Sequence, residues 1–409
     1  MLKNIINKLK LKGTYGLVGN DNIGAWNDRF FYMSEVNLNG SGANFSWGQD
    51  FERNVGTIDM IRYRNDKIKW EIAQKMNLGL EVGLFNIFDI QFDYFTEYRK
   101  NIFGERQTIP YEMGFSAPLY ANKGEASSHG FEVQVDANHA FNKNFWLGVR
   151  GNFTYATGKY EHVEEPYRPY PWLSHIGKRI NQTYGLIAER LFIDEEDIAN
   201  SPVQTYGEYM PGDIKYKDVN NDGVFDKDND RDYLGSPTPK LVFGMTNTFT
   251  YRNFDLSILM TAQTGGKIFG VLGRAIDRPG MGAKGNALGH WREAWWSEDE
   301  PGNGKVPYIL SSTTGATLDS RWLYSSNYLR IKNLTLGYKL PINPKFISYA
   351  RVYVSIENLA KWDSYYGGYS PEAANTAASS SPGGSSALGL DYGGYPSPRI
   401  YTLGINVNF

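Results

Sequence analysis

The segment Ile68–Leu84, which reads IKWEIAQKMNLGLEVGL, decides the fold class. Its even-numbered positions are apolar except for Gln74, whereas the odd-numbered positions include Lys69, Lys75 and Glu81. Successive side chains of a β-strand point to opposite faces, so the pattern predicts a strand with one apolar face and one polar face. Helical spacing would not separate the two classes of residue so cleanly.

The same alternation recurs along the chain. It is found at Phe88–Tyr94, Phe131–Asn138, Phe145–Val149, Leu241–Met245, Phe254–Met260, Leu334–Leu340, Val352–Ile356 and Tyr401–Phe409. Short turns are predicted at 84–87, 141–144, 251–253 and 341–344, and long polar connections at 38–66, 161–181, 264–322 and 363–397. Tight turns at one end of the strands and long loops at the other are typical of a bacterial outer-membrane β-barrel.

The main alternative is a soluble β-sandwich or solenoid, whose strands also alternate. Strands of soluble proteins have roughly 5–6 residues, whereas a tilted membrane strand needs about 9–11. The segment Ile68–Leu84 is longer than either, as expected for a strand that projects beyond the bilayer. Aromatic residues near predicted strand ends would form a girdle at the membrane surface. They are Trp70, Tyr94, Phe145, Tyr155, Tyr251, Tyr338 and Tyr353.

The composition excludes several other classes of protein. The 42 Lys and Arg residues balance 44 Asp and Glu, which leaves no basic excess for binding nucleic acid. The absence of Cys removes disulfide scaffolds, thiolate zinc sites and cysteine nucleophiles. A mean hydropathy of −0.47, without any uncharged apolar run of about 18 residues, excludes a helical membrane protein. The segment Met1–Lys8 also lacks the apolar core and cleavage site of a secretory signal.

The chain ends on the last of these alternating segments. Tyr401, Leu403, Ile405, Val407 and Phe409 alternate with other residues, and Phe409 is the final residue. A terminal strand closed by an aromatic residue resembles the targeting signal that the barrel-assembly machinery of Gram-negative outer membranes reads. The C-terminus therefore supports a location in the cell outer membrane.

Several motifs occur in a characteristic order along the chain. The most specific is Pro211–Gly223, PGDIKYKDVNNDG, followed by Leu234-Gly235-Ser236-Pro237. The others are Leu11–Gly16 with Gly19-Asn20, Lys69-Trp70-Glu71, Tyr328–Tyr338 with Pro341, Glu357-Asn358-Leu359 and Gly394-Tyr395-Pro396. Together they resemble the C-terminal part of SusC/RagA-type TonB-linked outer-membrane transporters, the TonB-dependent receptors. One departure is Trp295–Glu300, where related proteins have a Trp followed by an Asn-Pro turn.

The resemblance implies an all-β fold, an antiparallel transmembrane β-barrel of 22 strands with a plugged lumen. About a dozen strands are predicted in this chain, so residues 1–409 are expected to be the C-terminal portion of such a barrel, with long extracellular loops. We identify neither a plug domain nor a signal peptide in residues 1–409, and expect Met1 to be an internal or misassigned start.

The resemblance also implies a nutrient importer and not an enzyme. In this family a SusD-like surface lipoprotein captures a glycan or peptide, and the TonB complex acts on the plug to admit it. The expected partners are therefore a SusD-like lipoprotein, the TonB complex through the plug region, outer-membrane lipid, and an oligosaccharide or peptide substrate, with no nucleic acid. A passive outer-membrane channel or structural barrel is the alternative, and a barrel-embedded hydrolase with a lumen-facing Ser/His/Asp cluster is a third hypothesis.

One loop carries a candidate metal site. The segment Asp218–Asp226 matches the first half of a calcium loop, D-x-[DN]-x-[DN]-G. Calcium binds six to eight oxygen atoms, and alternate positions of a tight loop can present them inward. The expected ligands are the side chains of Asp218, Asn220, Asp222 and Asp226 and the backbone carbonyl of Val224. Position twelve is Asn229 and not Glu, so this is no EF-hand, and an Asx-rich loop without an ion is the alternative.

A second loop, His290–Trp296, is unusually aromatic. Such a loop needs a surface to pack on in water. It either packs on the rim of its own barrel or contacts substrate or a lid partner, since aromatic residues and Arg are frequent in interface hot spots.

Overall fold

The structure, a computed structural model, describes residues 5–21, 23, 29–205, 207–270, 289–308, 319–342, 346–365, 370–372, 389–391 and 397–409. The motif Gly394-Tyr395-Pro396 and part of the predicted turn 341–344 lie outside these residues. The described residues contain no helix long and apolar enough to cross a membrane. Their helical elements are the short α-helix α1 (Glu195–Ala199) and single 3₁₀ turns at Tyr111–Met113, Pro171–Leu173, Gly289–Glu293 and Ser320–Trp322.

Most of the described chain is strand. The strands are β1 (Ile6–Asn20), β2 (Glu35–Trp47), β3 (Arg53–Arg62), β4 (Glu71–Leu84), β5 (Phe88–Glu105), β6 (Tyr120–Asn142), β7 (Phe145–His162), β8 (Thr183–Leu186), β9 (Ala188–Leu191), β10 (Val203–Gln204), β11 (Ile214–Tyr216), β12 (Val224–Phe225), β13 (Arg231–Gly235), β14 (Leu241–Tyr251), β15 (Phe254–Thr264), β16 (Lys267–Gly270), β17 (Leu323–Ser325), β18 (Tyr328–Lys339), β19 (Tyr349–Asp363), β20 (Leu390–Asp391) and β21 (Ile400–Asn408).

Ten of the long strands form one antiparallel sheet, which we call the main sheet. Its order is β1-β4-β5-β6-β7-β14-β15-β18-β19-β21. Every strand of the main sheet except β1 overlaps one of the predicted alternating segments. Together with the separate hairpin of β2 and β3, these strands match the expectation of about a dozen.

Exposure in β4 is distributed opposite to that of a soluble protein. Glu71 and Glu81 are buried, each 9% exposed, whereas Leu78 on the opposite face is 51% exposed. A soluble sheet buries its apolar face, while a membrane barrel turns that face toward lipid and keeps polar residues inside. The predicted transmembrane β-barrel, with its apolar side facing hydrocarbon, is therefore confirmed.

The lipid-facing side of the main sheet has an upper border marked by aromatic rings. Tyr94 of β5 pairs with Phe131 of β6, which pairs with Tyr155 of β7, and the last two rings are 5.5 Å apart. One step farther from the turns, the same face carries the polar pair Thr96 and His129. Tyr94 and Tyr155 thus lie within their strands and not near the ends, because these strands continue beyond the membrane.

The lower border lies at the short turns. Phe145, Tyr251, Phe254 and Tyr338 are successive neighbours across β7, β14, β15 and β18. The rings of Phe254 and Tyr338 are 4.6 Å apart. From this border, β14 and β15 run toward the loops for 11 residues each, which is about the length that a tilted membrane strand needs.

The short turns lie at different heights along neighbouring strands. Phe85 and Asn86, between β4 and β5, both have positive φ, 56° and 54°, as a type I′ hairpin turn requires. Phe88, the first residue of β5, pairs with Ala137, whereas β6 continues to Asn142 before its own turn. Successive turns are therefore staggered, as the shear of a closed barrel requires.

Two expectations from the sequence were wrong in detail. The strand predicted from Ile68 begins at Glu71, because the backbone N–H and C=O of Lys69 bond instead to the side chain of Asn122, each at 2.8 Å. The predicted polar connection 38–66 contains most of the hairpin of β2 and β3. Because most residues of β3 are exposed on both faces, no alternation marks this hairpin in the sequence.

At the end opposite the short turns, the long loops fold into a layer that we call the loop platform, the described residues of 163–240 and 265–327. Its short strands pair as β8 with β13, β9 with β11, β10 with β12, and β17 with β16, which also pairs with β20. They enclose an apolar cluster, the platform core, which consists of Leu186, Leu191, Ile214, Tyr216, Phe225 and Trp295. The predicted long extracellular loops are thus folded.

Candidate functional site

The polar face of the main sheet, which we call the inner wall, carries a cluster of ion pairs at β1 and β4. Lys8, Lys10 and Lys12 occupy alternate positions of β1, and their ammonium nitrogens lie 3.1, 3.5 and 3.0 Å from carboxylate oxygens of Glu81. Lys8 also lies 3.2 Å from Asp89 of β5. The alternating sequence KLKLK at 8–12 was the signal for this strand that the sequence analysis missed.

Further ion pairs continue around the inner wall. Arg150 of β7 pairs with Asp136 of β6, and Nε of Arg351 in β19 lies 2.8 Å from Oδ1 of Asp255 in β15. The guanidinium carbon of Arg351 is 5.1 Å from the ring centre of Tyr353, two residues along the same face. Tyr353 therefore faces the polar interior. Its predicted place in the lipid-facing girdle was wrong, because residues two positions apart on a strand share one face and Tyr353 shares the face of Arg351.

The pair of Asp255 and Arg351 spans β18, which lies between their strands, and Gly337 makes this possible. A Cβ at Gly337 would lie 2.4 Å from Nε of Arg351 and 2.5 Å from Oδ1 of Asp255. Any larger residue would push the two side chains apart. The inner wall is thus built for charged groups that interact across strands, as expected for a surface that borders water.

Near the loop end, the inner wall also holds a piece of the last long connection. Arg330 of β18 is only 5% exposed, forms an ion pair with Glu372, and donates a hydrogen bond of 3.1 Å to Oγ of Ser370. Asn358 of β19 accepts a further bond from Arg330 at 3.3 Å. The described residues 370–372 are thus attached to the mouth of the barrel from the polar side.

The aromatic loop packs on its own protein. Trp295 belongs to the platform core, its ring 5.8 Å from that of Tyr308, and Trp291 is also buried. Gly212 has positive φ, 84°, and a Cβ there would lie 2.3 Å from the Trp295 ring. Trp296, in contrast, is about half exposed. Trp291 and Trp295 therefore follow the first of the two hypotheses for this loop, in which it packs on its own barrel.

The candidate calcium loop is closed by its own backbone amides. The carboxylate of Asp218 accepts hydrogen bonds from the N–H groups of Asn221 and Gly223. Asp222 accepts one from Val224. Asp226 accepts two, from Asp228 and Asn229, and all five bonds are 2.7–2.9 Å long. The side-chain amide of Asn220 donates to Asp222 at 2.8 Å. The bonds from Val224 to Asp222 and from Asp228 to Asp226 close Asx turns, and the bonds to Asp218 span the loop, so side chains of this composition fold the loop by themselves.

Asp230, just after this loop, is the residue that holds it to the platform. It is completely buried and accepts N–H groups from Val219 at 2.9 Å and from Asp226 at 2.7 Å. Among the described residues, no three His, Asp or Glu side chains are grouped so that they could hold a metal ion by themselves. Calcium binding by Asp218, Asn220, Asp222, Val224 and Asp226 stays a prediction.

Charge pairs also tie the platform together above the membrane. The guanidinium of Arg190 in β9 donates two hydrogen bonds to Asp197 in α1, one of them 2.6 Å long, and the N–H of Ile193 donates a third. The bonds from Arg190 lower the pKa of the Asp197 carboxyl well below its usual range. The charged form of Asp197 is thus favoured in the folded platform.

The hydrolase hypothesis can be compared with the residues Glu165, Ser174 and His175. Nδ1 of His175 lies 3.0 Å from Oε2 of Glu165, and Ser174 donates to the other oxygen of the same carboxylate. A nucleophile must bond to the base that activates it. Ser174 bonds to the carboxylate and not to the imidazole, so these three residues have no catalytic geometry.

Comparison with known proteins agrees with this architecture. Residues 36–359 match the family model described as TonB dependent receptor-like, beta-barrel. The TonB-dependent receptor P3 of Formosa agariphila is 27% identical over 422 aligned residues, which cover 99% of this chain and 40% of that protein. The TonB-dependent receptor SusC of Bacteroides thetaiotaomicron is 23% identical, with 99% and 38% covered. The chain thus spans about two fifths of the length of these relatives.

Solved structures share the fold. The RagAB peptide importer in its open-open state superimposes with a TM-score of 0.74 at 21% identity, over 99% of this chain and 40% of that one. A further structure of the RagAB peptide transporter gives a TM-score of 0.72 at 20% identity, over 99% and 41%. The ten-stranded main sheet and its folded loops are therefore an arrangement that occurs in larger barrels.

Proposed function

This chain belongs to the TonB dependent receptor-like β-barrel family, and from that membership we propose that it forms part of the wall of an energised nutrient importer of the SusC/RagA type. The family consists of outer-membrane receptors and transporters and not of enzymes, so the chain is located in the cell outer membrane. Uptake driven by TonB, the substrate and the partner proteins are parts of the proposal.

The observation that carries the proposal is the contrast between the two faces of the main sheet. Glu81 is buried among Lys8, Lys10 and Lys12 on the inner wall, while Leu78 on the other face is exposed toward lipid. A wall of paired charges suits a hydrated path for polar solutes. Because the charges are paired with one another, they line the path without a large excess of either sign.

The proposed substrate is an oligosaccharide or a peptide, captured by a SusD-like lipoprotein on the loop platform. Support comes from the family resemblance and from a platform with its own core, which offers a docking partner a folded surface. One of the relatives in fold is described as a peptide importer. The proposed energy source is the TonB complex, which in such importers acts on a plug inside the barrel.

Uptake in intact cells tests the proposal. Cells without the gene, and the same cells with the gene restored, are given fluorescein-labelled maltoheptaose or a labelled tryptic peptide mixture, with and without a protonophore. We expect at least one probe to enter only when the gene is present, and its entry to stop when the protonophore removes the energy source. Equal entry with and without the gene would contradict the importer.

The passive channel makes the opposite prediction about energy. Its uptake would require the gene and would continue in the presence of the protonophore, and the purified protein would conduct ions steadily across a planar bilayer. The partner is tested separately. Purification through an affinity tag on this protein should recover a surface lipoprotein from detergent extracts in an amount equal to that of the tagged protein. Recovery of the tagged protein alone would contradict that part of the proposal.

A further inference from the structure

Arg330 places a positive charge on the inner wall at the mouth of the barrel. It pairs across the main sheet with Thr261 of β15 and Lys361 of β19, and its side chain is almost completely buried. Lys361 has a carboxylate in its own strand, since its ammonium nitrogen lies 3.3 Å from Asp363. The carboxylate that pairs with Arg330, in contrast, is that of Glu372 and belongs to a loop.

Side chains attach this loop segment, residues 370–372, to the main sheet. Glu372 forms the ion pair with Arg330 and accepts a hydrogen bond from the hydroxyl of Tyr328. Oγ of Ser370 accepts bonds from Nη2 of Arg330 at 3.1 Å and from the N–H of Glu372 at 3.3 Å. Within the described part of the chain, no backbone hydrogen bond joins segment 370–372 to a strand. One guanidinium therefore provides most of the polar attachment.

The groups that the segment presents to Arg330 are a carboxylate and a hydroxyl. A saccharide acid carries the same two groups, and a peptide carries a carboxylate at its C-terminus. The N–H donors of a guanidinium form a planar fork that matches the geometry of any carboxylate. Glu372 thus occupies a position that a carboxylate of another molecule can fill.

The charge balance at the mouth decides what can replace Glu372. Arg330 is neutralised by Glu372, and Asp363 lies beside Lys361. Withdrawal of Glu372 alone would leave a buried guanidinium without a counter-charge, which is strongly unfavourable. A neutral solute does not restore the balance, whereas a second carboxylate does. The segment therefore leaves the wall most easily in exchange for an anion.

We propose that Arg330 is a carboxylate-binding site on the transport path, and that Glu372 occupies it until a carboxylate of the cargo takes its place. The cargo is then a molecule with at least one carboxylate, either a saccharide acid or a peptide with a free C-terminus. Its binding releases segment 370–372 from the inner wall. The inference rests on the proposed importer for the identity of the cargo, whereas the site itself can be tested by binding alone.

Calorimetric titration of the detergent-purified protein tests the proposal. The acidic probes are trigalacturonate and N-acetyl-trialanine, and the neutral probes are maltotriose and the C-terminal amide of N-acetyl-trialanine. We expect Glu372→Gln to bind an acidic probe about tenfold more tightly than the parent, because an internal competitor that fills a site roughly nine tenths of the time weakens an external ligand tenfold. Adding Arg330→Gln should remove this gain, and the neutral probes should gain nothing. The acidic probe that gains identifies the source of the carboxylate.

Hydrogen exchange provides a second measurement on the same protein. A saturating acidic probe should accelerate exchange at the Glu372 amide, because the segment leaves the wall when the probe binds. A purely structural ion pair would show unchanged or slower exchange with the probe present. The neutral probes should have no effect.

Glu112→Gln is the matched control. Glu112 is an exposed carboxylate in the loop between β5 and β6, so its loss changes the net charge equally at the same end of the barrel, and binding should not change. Heat-dependent mobility in gels checks that each variant is folded, and Glu372→Gln alone carries the test if Arg330→Gln does not fold.

Two results would overturn the carboxylate site. One is equal binding of the acidic probes by the parent and by Glu372→Gln, and the other is an equal gain in Glu112→Gln. Failure of uptake in cells, together with carboxylate binding at Arg330, would contradict the importer and leave the site in place.

Discussion

The phenolic oxygen of Tyr216 lies 2.9 Å from Oδ2 of Asp319, and both side chains are almost completely buried in the loop platform. Arg321 donates to the same carboxylate, with Nη2 2.8 Å from Oδ2. The two loops that meet here are far apart in the sequence, one before β14 and the other after β16. This contact therefore joins the two halves of the platform.

Tyr216→Phe should loosen the platform without disturbing the barrel. The change removes one hydrogen bond to a buried carboxylate, which we expect to lower the free energy of local unfolding by about 1–3 kcal/mol. Hydrogen exchange should become faster at the amides of β11 and around Arg321. The heat-dependent mobility of the barrel in gels should not change.

Tyr167→Phe is the control for this experiment, because Tyr167 is 89% exposed. It removes the same hydroxyl group from a position without burial. Unchanged exchange in Tyr216→Phe, or equal changes in both variants, would contradict the importance of the bond to Asp319.

A charge on the lipid-facing side should be far more harmful than the same charge on the inner wall. Val135 and Gln134 are adjacent in β6, and Val135 pairs with Ile90 on the apolar face, whereas Gln134 bonds to Asp136 on the polar face. Val135→Arg should cost about 2–4 kcal/mol of folding free energy in lipid vesicles. Gln134→Arg should cost much less, and equal effects would contradict the assignment of the faces.

Acidification should weaken the link between β9 and α1. The pKa of Asp197 is lowered in the folded protein, mainly by hydrogen bonds from Arg190. A lowered pKa contributes stability that is present above the pKa of the unfolded chain, about 3.9 for Asp, and is lost as the pH falls below that value. The opening equilibrium of the amides at 193–201, obtained by dividing each exchange rate by the intrinsic amide rate at the same pH, should therefore rise from pH 5 to pH 3.

Asp197→Asn provides the control for the pH experiment. Its amide cannot titrate, so the same amides should exchange faster than in the parent at pH 5 and show little further acceleration of opening at pH 3. A parent protein whose local opening does not depend on pH in this range would contradict the role of this carboxylate.

The calcium prediction can be tested on the same platform. If Asp218, Asn220, Asp222, Val224 and Asp226 bind calcium, millimolar calcium should slow exchange across the loop, and a chelator should reverse it. Asp222→Ala should abolish the effect, whereas Asp228→Asn, at an exposed position outside the ligand set, should retain it. Identical exchange with calcium and with chelator in the parent would leave an Asx-rich loop without an ion.

The membrane strands could be predicted from the sequence because one physical constraint acts on every residue in them. Lipid on one side and water on the other force strict alternation, so β4 is visible from Ile72 to Leu84 without reference to any other strand. The sequence analysis missed β1 because its lipid-facing side is interrupted by Gly13 and Gly19.

The loop platform could not be predicted because its order comes from contacts between distant residues. β10 and β12 have two residues each, too few for any periodicity, and β12 pairs through Phe225 with Gln204. No sequence pattern near Asp319 predicts that it forms a hydrogen bond with Tyr216, which lies 103 residues earlier in the chain. The calcium motif is readable as a spacing of oxygens, yet the spacing alone does not reveal that backbone amides already bond to those oxygens.

The platform core lies wholly outside the ten strands of the main sheet, so the part of this protein that meets the medium rests on its own set of buried side chains. Substitutions there can accumulate while the residues that govern insertion into the bilayer stay as they are. The same barrel can therefore carry different loop platforms, because the residues that form the membrane strands do not have to change with them.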